Sequence, residues 1–336
     1  MSSINKIIVV RHDKIGDFVL TWPAFYLLKK GFPEAQIDVF VAPVMKSFAQ
    51  ACPYIDNVIV DTGDDKAIAS QFIEQHYDIG IGMHSQFRIV KLFKQAKIPY
   101  TLGPKHNWYQ FLYHDRASIK YEKGEPCWRG NVMLIEHLLT KFEQPIPDLE
   151  TRLWNVGTEK DAWQKFYGKQ DDELLIFVHV GSGGSSASLP VEKFAQLIRK
   201  VSESAKHKTK FILTYSGDEK QLVNELLSLL KDDKNNAIMA RPLDSLVDFA
   251  KSLVAADMFI AGSTGPLHLA GLHNVPTVGF YAGRRSAPKI RWQTLSEESR
   301  RLAYTPPIGR KTGRDMSLVD IDEASQGIVE FLNKHD

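Results

Sequence analysis

The stretch AGSTGPLHLAGLHNVPTVGFYAG, residues 261–283, follows an apolar run at residues 258–260 that has the length and content of a buried strand. It then carries helix-start chemistry: hydroxyls at Ser263 and Thr264, a flexible Gly265, then Pro266. A strand ends where a helix begins. The first turn of a helix leaves backbone N–H groups without partners and concentrates partial positive charge, so such a junction suits a phosphate or diphosphate. His268 falls within reach of the same anion. A Val-Pro break and a second apolar strand, residues 277–281, complete a strand–helix–strand unit. On spacing alone, an ordinary α/β crossover with Gly and Pro at its turns fits as well as phosphate binding does.

A chain of 336 residues exceeds the usual size of a single core, so two domains of similar length are expected. A net charge of +2 with 24% charged residues singles out neither nucleic acid nor an acidic partner. The two cysteines, Cys52 and Cys127, lie far apart without metal-ligand spacing, which suits a reducing compartment and predicts two inert core thiols. No apolar run approaches the roughly 18 residues that cross a bilayer, and the first residues enter a strand without a signal-peptide pattern. The expected location is the cytoplasm.

In the first half, residues 6–11 (KIIVVR) read as a buried parallel strand running into HDKIGD and then a helix. Gly16 permits a tight turn, and Asp17 stands at a helix start, where capping favours a carboxylate. Asp13 has the same ambiguity between cap and chemistry. Strands at 37–42, 57–61 and 78–84 alternate with helices at 66–76 and 88–97, which predicts an open, mostly parallel sheet covered on both faces. Ligands of such sheets bind beyond the carboxyl ends of the strands, where residues 11–17, His84 and Gln86 fall. Residues 100–129 lose all period. There TLGPKHNWYQFLYHDR mixes five large apolar residues with Lys105, His106, His114 and Arg116, a composition suited to sugar stacking, anion contact or interfacial docking, or to a buried aromatic loop. A helix over 131–142 precedes a boundary at Pro145 and Pro147, with residues 152–169 as connector.

The second half repeats the plan. Strand-and-turn units at 174–190, 211–222 and 237–246 lead to the 258–265 junction, and a ligand at their common edge would meet the 181–188 loop, Glu219 and the 263–268 turn. The GRRSAPKIRW segment is basic and irregular, and residues 319–332 have helical spacing. The expected domains are 1–155 and 170–318, with a closing helix over 319–336.

Three blocks together resemble glycosyltransferase family 9, the ADP-heptose:lipopolysaccharide heptosyltransferases. RHDKIGDFVLTWPAFYLLKK (11–30) looks like that family's N-terminal strand, Gly-Asp pair and TxP helix. HVGSGG followed by LPVEKFAQLI (179–198) resembles its strand–loop–helix segment, and GSTGPLHLAGLHNVPTVGFYA (262–282) its donor motif. The resemblance implies a GT-B fold, two Rossmann-like α/β domains with mostly parallel sheets facing across a cleft, the first binding acceptor and the second the nucleotide sugar. It implies inverting, metal-independent transfer of a sugar, a heptose by the family's habit, from an ADP-linked donor to a hydroxyl of a lipopolysaccharide core or similar glycan, with no other cofactor. Asp17 then matches the general base. Ser182, Gly183, Glu219, Ser263, Thr264, Gly265 and His268 match donor-facing positions, while Lys14, His84, Lys105 and Arg116 are acceptor candidates by position. The aromatic and basic 105–116 segment suits peripheral contact with the inner face of the cytoplasmic membrane.

Two positions depart from the family pattern. Ala187 or Ser188 stands where members carry a lysine before the Pro, which leaves Arg284, Arg285 and Lys14 as replacement cations, and Ser263 replaces the commoner Asp. A GT-B epimerase, or a protein that binds nucleotide sugar without turnover, stays open as an alternative. A dinucleotide oxidoreductase fits worse, because no GxGxxG follows either half's first strand.

Overall fold

The computed structural model describes residues 4–105, 108–120, 125–154, 159–182, 184, 187–231, 233, 236–283 and 289–334. The chain divides into two compact units, Met1–Trp154 and Asn155–Asp336.

In the first unit the elements run β1 (Lys6–Val10), α1 (Ile15–Val19), α2 (Trp22–Gly31), β2 (Gln36–Val41), α3 (Lys46–Gln50), β3 (Asn57–Val60), α4 (Asp65–Gln75), β4 (Ile79–Gly82), α5 (Phe87–Gln95), β5 (Tyr100–Pro104), β6 (Asp115–Ala117) and α6 (Trp128–Lys141). All pairings are parallel, in the order β3-β2-β1-β4-β5-β6. β1 and β2 are nearly all apolar because helices cover both faces of a parallel sheet. Helix α5 shows the division of labour: Ile89, Val90, Leu92 and Phe93 are buried, while Lys91 and Lys94 point outward. That buried face joins a core with Ile8, Val10, Phe40 and Phe72. Helix α2 buries Trp22 against Phe48 and Trp154, with ring centroids 5.6 and 5.2 Å away.

The aperiodic 100–129 segment departs from its reading as one irregular stretch. It contains β5, β6 and a 3-10 turn at Trp108–Leu112. Strands of five and three residues are too short to print a period. The turn is anchored by Tyr113, which is buried over Gly82 and Gly103, and a Cβ at either glycine would overlap its ring or hydroxyl. Gly82→Ala is therefore expected to lower the first unit's stability by about 1–3 kcal/mol through overpacking, read as a drop in thermal midpoint. An unchanged midpoint would contradict this packing.

The second unit runs α7 (Glu159–Phe166), β7 (Glu173–His179), α8 (Val191–Ser204), β8 (Lys208–Thr214), α9 (Lys220–Leu229), β9 (Asn236–Met239), α10 (Leu246–Ser252), β10 (Met258–Gly262), α11 (Gly265–Gly271), β11 (Thr277–Phe280), β12 (Arg301–Tyr304) and α12 (Ile321–Lys334). Its sheet is also parallel throughout, in the order β12-β11-β10-β7-β8-β9. The 152–169 connector carries α7, and the next residue, Tyr167, is buried against Phe177 with ring centroids 4.9 Å apart. Helix α12 packs on α8, with Ile321, Ala324 and Ile328 in one core with Phe194 and Ile198.

Each sheet reverses its strand order once, between β1 and β4 in the first unit and between β7 and β10 in the second. At such a reversal the flanking connections leave in opposite directions and open a crevice beyond the carboxyl ends. Among the described residues, no helix is long and apolar enough to cross a membrane. Of the two cysteines, Cys52 is buried, and burial pushes its thiol pKa up. Cys127 is not a core thiol. It lies half-buried at the start of α6, because helix ends reach the surface.

Candidate functional site

At the first unit's reversal, the turn after β1 and the turn after β4 bring together Arg11, His12, Asp13, Asp17, His84 and Gln86. Asp17 is not a helix cap. Lys14 occupies the N-cap position of α1, exposed and without a side-chain cap bond, and Asp17 follows in the first turn. Its carboxylate instead meets Arg11, with Nη2 3.4 Å from Oδ1. The same guanidinium places Nε 3.0 Å from Asp13 Oδ1, and Nη1 donates to the Met83 carbonyl at 3.5 Å. His84 Nδ1 lies 3.5 Å from the other oxygen of Asp13. The rings of His84 and His12 stack at 4.8 Å, and Gln86 bonds both imidazoles. Burial, then the neighbouring Asp13, raise the Asp17 pKa above the usual carboxylate value, with Arg11, His84 and Lys14 opposing. Desolvation and the facing His84 lower that of His12. A carboxylate with raised proton affinity and 30% side-chain exposure can accept a proton from a hydroxyl brought to it.

At the second unit's reversal, the loop after β7 and the turn after β10 lie side by side, because β7 and β10 pair directly. Gly262 ends β10, and a Cβ there would touch Ala187 and Ser188 at 3.6 and 3.9 Å. Ser188 Oγ donates to the Val180 carbonyl at 3.1 Å. Thr264 is the N-cap residue of α11, with extended backbone (φ −130°, ψ 165°), but its hydroxyl makes no cap bond. Thr264 Oγ1 and His268 Nδ1 are both buried without a hydrogen-bond partner among the described residues. Four residues apart at the head of one helix, they share a face. Two such orphans are costly unless a ligand meets them. Ser263 and Gly265 are half-buried beside them, and Gly183 lies outside the described residues.

Glu219 reaches this edge from the 3-10 turn after β8. Its Oε1 accepts the Ser182 N–H at 2.7 Å, and Oε2 lies 4.0 Å from His179 Nε2. The carboxylate occupies the space a Cβ at Gly181 would need, which is why that position must be glycine. It holds the loop in place.

Residues 66–304 match the family model described as glycosyltransferase family 9 (heptosyltransferase). A putative glycosyltransferase of Haemophilus influenzae is 34% identical over 98% of this chain and 97% of that one. The chain belongs to glycosyltransferase family 9. The fold agrees: the solved structure of E. coli ADP-heptose lps heptosyltransferase II covers 98% of this chain and 99% of its own, with TM-score 0.77 at 17% identity. The solved structure of an E. coli heptosyltransferase with ADP gives TM-score 0.71 at 15% identity, covering 98% of this chain and 98% of its own. Two Rossmann-like units of this kind are the GT-B class, and the chain is a glycosyltransferase.

Not every acceptor candidate of this glycosyltransferase joins the Asp17 cluster. Lys105 follows β5 and Arg116 sits in the edge strand β6, one and two strands beyond β4. Both are exposed, and among the described residues neither bonds to Asp13, Asp17 or His84. Of the alternatives for this segment, a buried aromatic loop holds only in part: Trp108 is 72% and Phe111 58% exposed. Tyr109 Oη ties the segment to the Ser85 carbonyl at 2.6 Å. Arg284 and Arg285 lie outside the described residues. The sequence places Arg11 at the ligand edge of the sheet but assigns it no role, although a charge closing an apolar run was the available signal.

The two imidazoles of the second edge carry a pH dependence. Burial pushes His179 and His268 down to about 4 from 6.5. The unfolded chain takes up these protons below pH 6.5 while the folded one refuses them until about pH 4, so stability is intact above 6.5 and declines between 6.5 and 4. Each histidine contributes about 3 kcal/mol to that decline. His268→Gln is expected to reduce the pH slope of urea unfolding between pH 6.5 and 4. A slope identical to that of the parent would contradict its burial as the neutral form.

Proposed function

We propose that this chain transfers a heptose from an ADP-linked donor to a hydroxyl of a lipopolysaccharide core or similar glycan, with inversion. The single observation that carries the reading is the pair of orphaned buried atoms, Thr264 Oγ1 and His268 Nδ1, within a donor motif of a family 9 member. A diphosphate would accept from the Thr264 hydroxyl and from a His268 N–H. In the free protein that imidazole is neutral, so it supplies a hydrogen bond and no charge until the phosphates raise its proton affinity. Ser182, Gly183, Ser263 and Gly265 would line the same donor site, with Glu219 fixing its loop and facing the nucleoside. The names of relatives, an ADP-heptose lps heptosyltransferase and a heptosyltransferase with ADP, support this donor.

In the reaction, the acceptor oxygen attacks the anomeric carbon from the face opposite the leaving group. A new carbon–oxygen bond forms as the bond to phosphate breaks, ADP departs with the electron pair, and Asp17 takes the hydroxyl proton. Lys14 and His84 would contact the acceptor beside Asp17. The reading is tested by incubating the protein with ADP-heptose, with and without a heptose-terminated core acceptor, and weighing the products. Acceptor extended by one heptose with release of ADP is expected. Conversion of the sugar nucleotide without acceptor would point to an epimerase, and binding without any product to a protein that lacks turnover.

For the membrane, the exposed Trp108 and Phe111 beside the exposed bases Lys105 and Arg116 suit an anionic lipid surface, with rings in the headgroup region and cations on phosphates. Lys105→Gln with Arg116→Gln is expected to reduce co-flotation with phosphatidylglycerol vesicles severalfold. Unchanged flotation would count against the contact.

A further inference from the structure

We propose that Arg11 and Asp13 are positioning residues that set the basicity of Asp17, two carboxylates sharing one guanidinium fixed at the sheet edge. The proposal rests on the reading of Asp17 as the base. Arg11 is only 9% exposed: Nε and Nη2 form ion pairs with Asp13 at 3.0 Å and Asp17 at 3.4 Å, and Nη1 donates to the Met83 carbonyl at 3.5 Å. The Met83 contact comes from the turn after β4, so the fork is anchored across two strands and does not follow Asp17 as that side chain moves. The shorter contact goes to the residue that is not the base. The His84 Nδ1 lies 3.5 Å from the other oxygen of Asp13, on the side away from the guanidinium contact.

This division matters for a group that must accept a proton and later release it. A carboxylate with sole possession of a buried guanidinium stays ionised but becomes a poor base, and one buried with no cation is protonated before the hydroxyl arrives. Sharing the cation holds Asp17 between these limits. The charged and titratable groups that face it are Arg11, Asp13 and Lys14 from its own turn and His84 from the β4 turn, and they act in opposite senses: burial and Asp13 raise its proton affinity, Arg11, His84 and Lys14 lower it. His12 reaches this cluster through its stacking on His84 and its charge coupling to Asp13.

The test is a pair of variants with opposed expectations. Asp13→Asn gives Arg11 wholly to Asp17 and moves the acid limb of the kcat/KM profile down by about one pH unit, with a severalfold lower plateau because the base is weaker. Arg11→Gln moves the same limb up by about one pH unit. Arg11→Lys, which keeps charge but loses the fork, falls between them and serves if Arg11→Gln does not fold. Repeating Asp13→Asn in a His84→Gln background removes the ring that faces Asp13 and should keep the downward direction. The carbon-13 titration of the Asp17 carboxyl in the intact protein reads the same shifts without turnover. Damage to structure alone lowers the plateau and does not displace the limb in opposite directions. Limbs that stay put, or move the same way in both variants, overturn the proposal while loss of transfer in Asp17→Asn leaves the base reading standing. Full transfer by Asp17→Asn would overturn that reading itself.

Discussion

Asp17→Asn is expected to lower sugar transfer by two or more orders of magnitude while leaving affinity for ADP unchanged, measured as initial rates beside a calorimetric titration. An amide keeps the size of the side chain but cannot take the hydroxyl proton, and removal of general-base help costs typically 10²–10⁴ in rate. Donor affinity is unaffected because all proposed donor contacts belong to the second unit. The pH profile gives the same conclusion a second readout. Asp17 has its pKa raised above the model-peptide 3.8, so the parent's rate falls, as pH drops, at a higher pH than an ordinary carboxylate would impose, and Asp17→Asn abolishes that limb. A variant that retained a tenth or more of the parent's rate would show that another group, or water, takes the proton.

Glu219→Ala carries the second large effect, a loss of roughly 30-fold in ADP affinity. The carboxylate donates nothing, but Oε1 receives the Ser182 N–H at 2.7 Å, and hydrogen bonds to charged groups are worth about 1.5–3 kcal/mol. Removing it frees the loop after β7, and ordering that loop then becomes part of the cost of binding. The opposing effect is relief of repulsion between a carboxylate and the donor phosphates. The loop contact is the shorter-ranged and less screened of the two, so the net change is a loss. Glu219→Gln, which keeps an acceptor oxygen, should lose less. Tighter binding by Glu219→Ala would mean that repulsion dominates and that the loop needs no staple.

Much of the fold was legible because its strands are short buried runs between Gly- and Pro-marked turns. The 258–262 strand, the helix start at Gly265–Pro266 and the 277–280 strand all follow from local chemistry that packing does not override. The β5–β6 region was opaque for the opposite reason. β6 has three residues, and what fixes it is Tyr113 lying over Gly82 and Gly103, a contact between residues distant in sequence. The connector hid α7 for a related cause, since none of its residues is buried and it shows no apolar stripe of the usual width.

The site divides in the same way. Thr264 and His268 could be picked out because one turn of helix sets their spacing, and spacing survives in a sequence. The neighbours of Asp17 were legible only as residues of one sheet edge, 11–17 with His84, and not as partners: His84 and the Met83 carbonyl come from a strand that pairs with β1 only in the folded sheet. A carboxylate at a helix start reads as a cap until that pairing is known. Likewise nothing local to Glu219 reveals that it grips the Ser182 N–H, a contact across 37 positions.

The central claim is that the turn from Ser263 to His268 receives the diphosphate of an adenine nucleotide. Calorimetric titration of the whole protein with ADP, UDP and GDP, repeated on Thr264→Val, tests it most directly. ADP should bind at least tenfold more tightly than the other two, and the variant, which loses one charge-assisted hydrogen bond, should bind ADP about tenfold more weakly. UDP or GDP binding more tightly than ADP, or ADP binding that ignores the loss of the Thr264 hydroxyl, would contradict it.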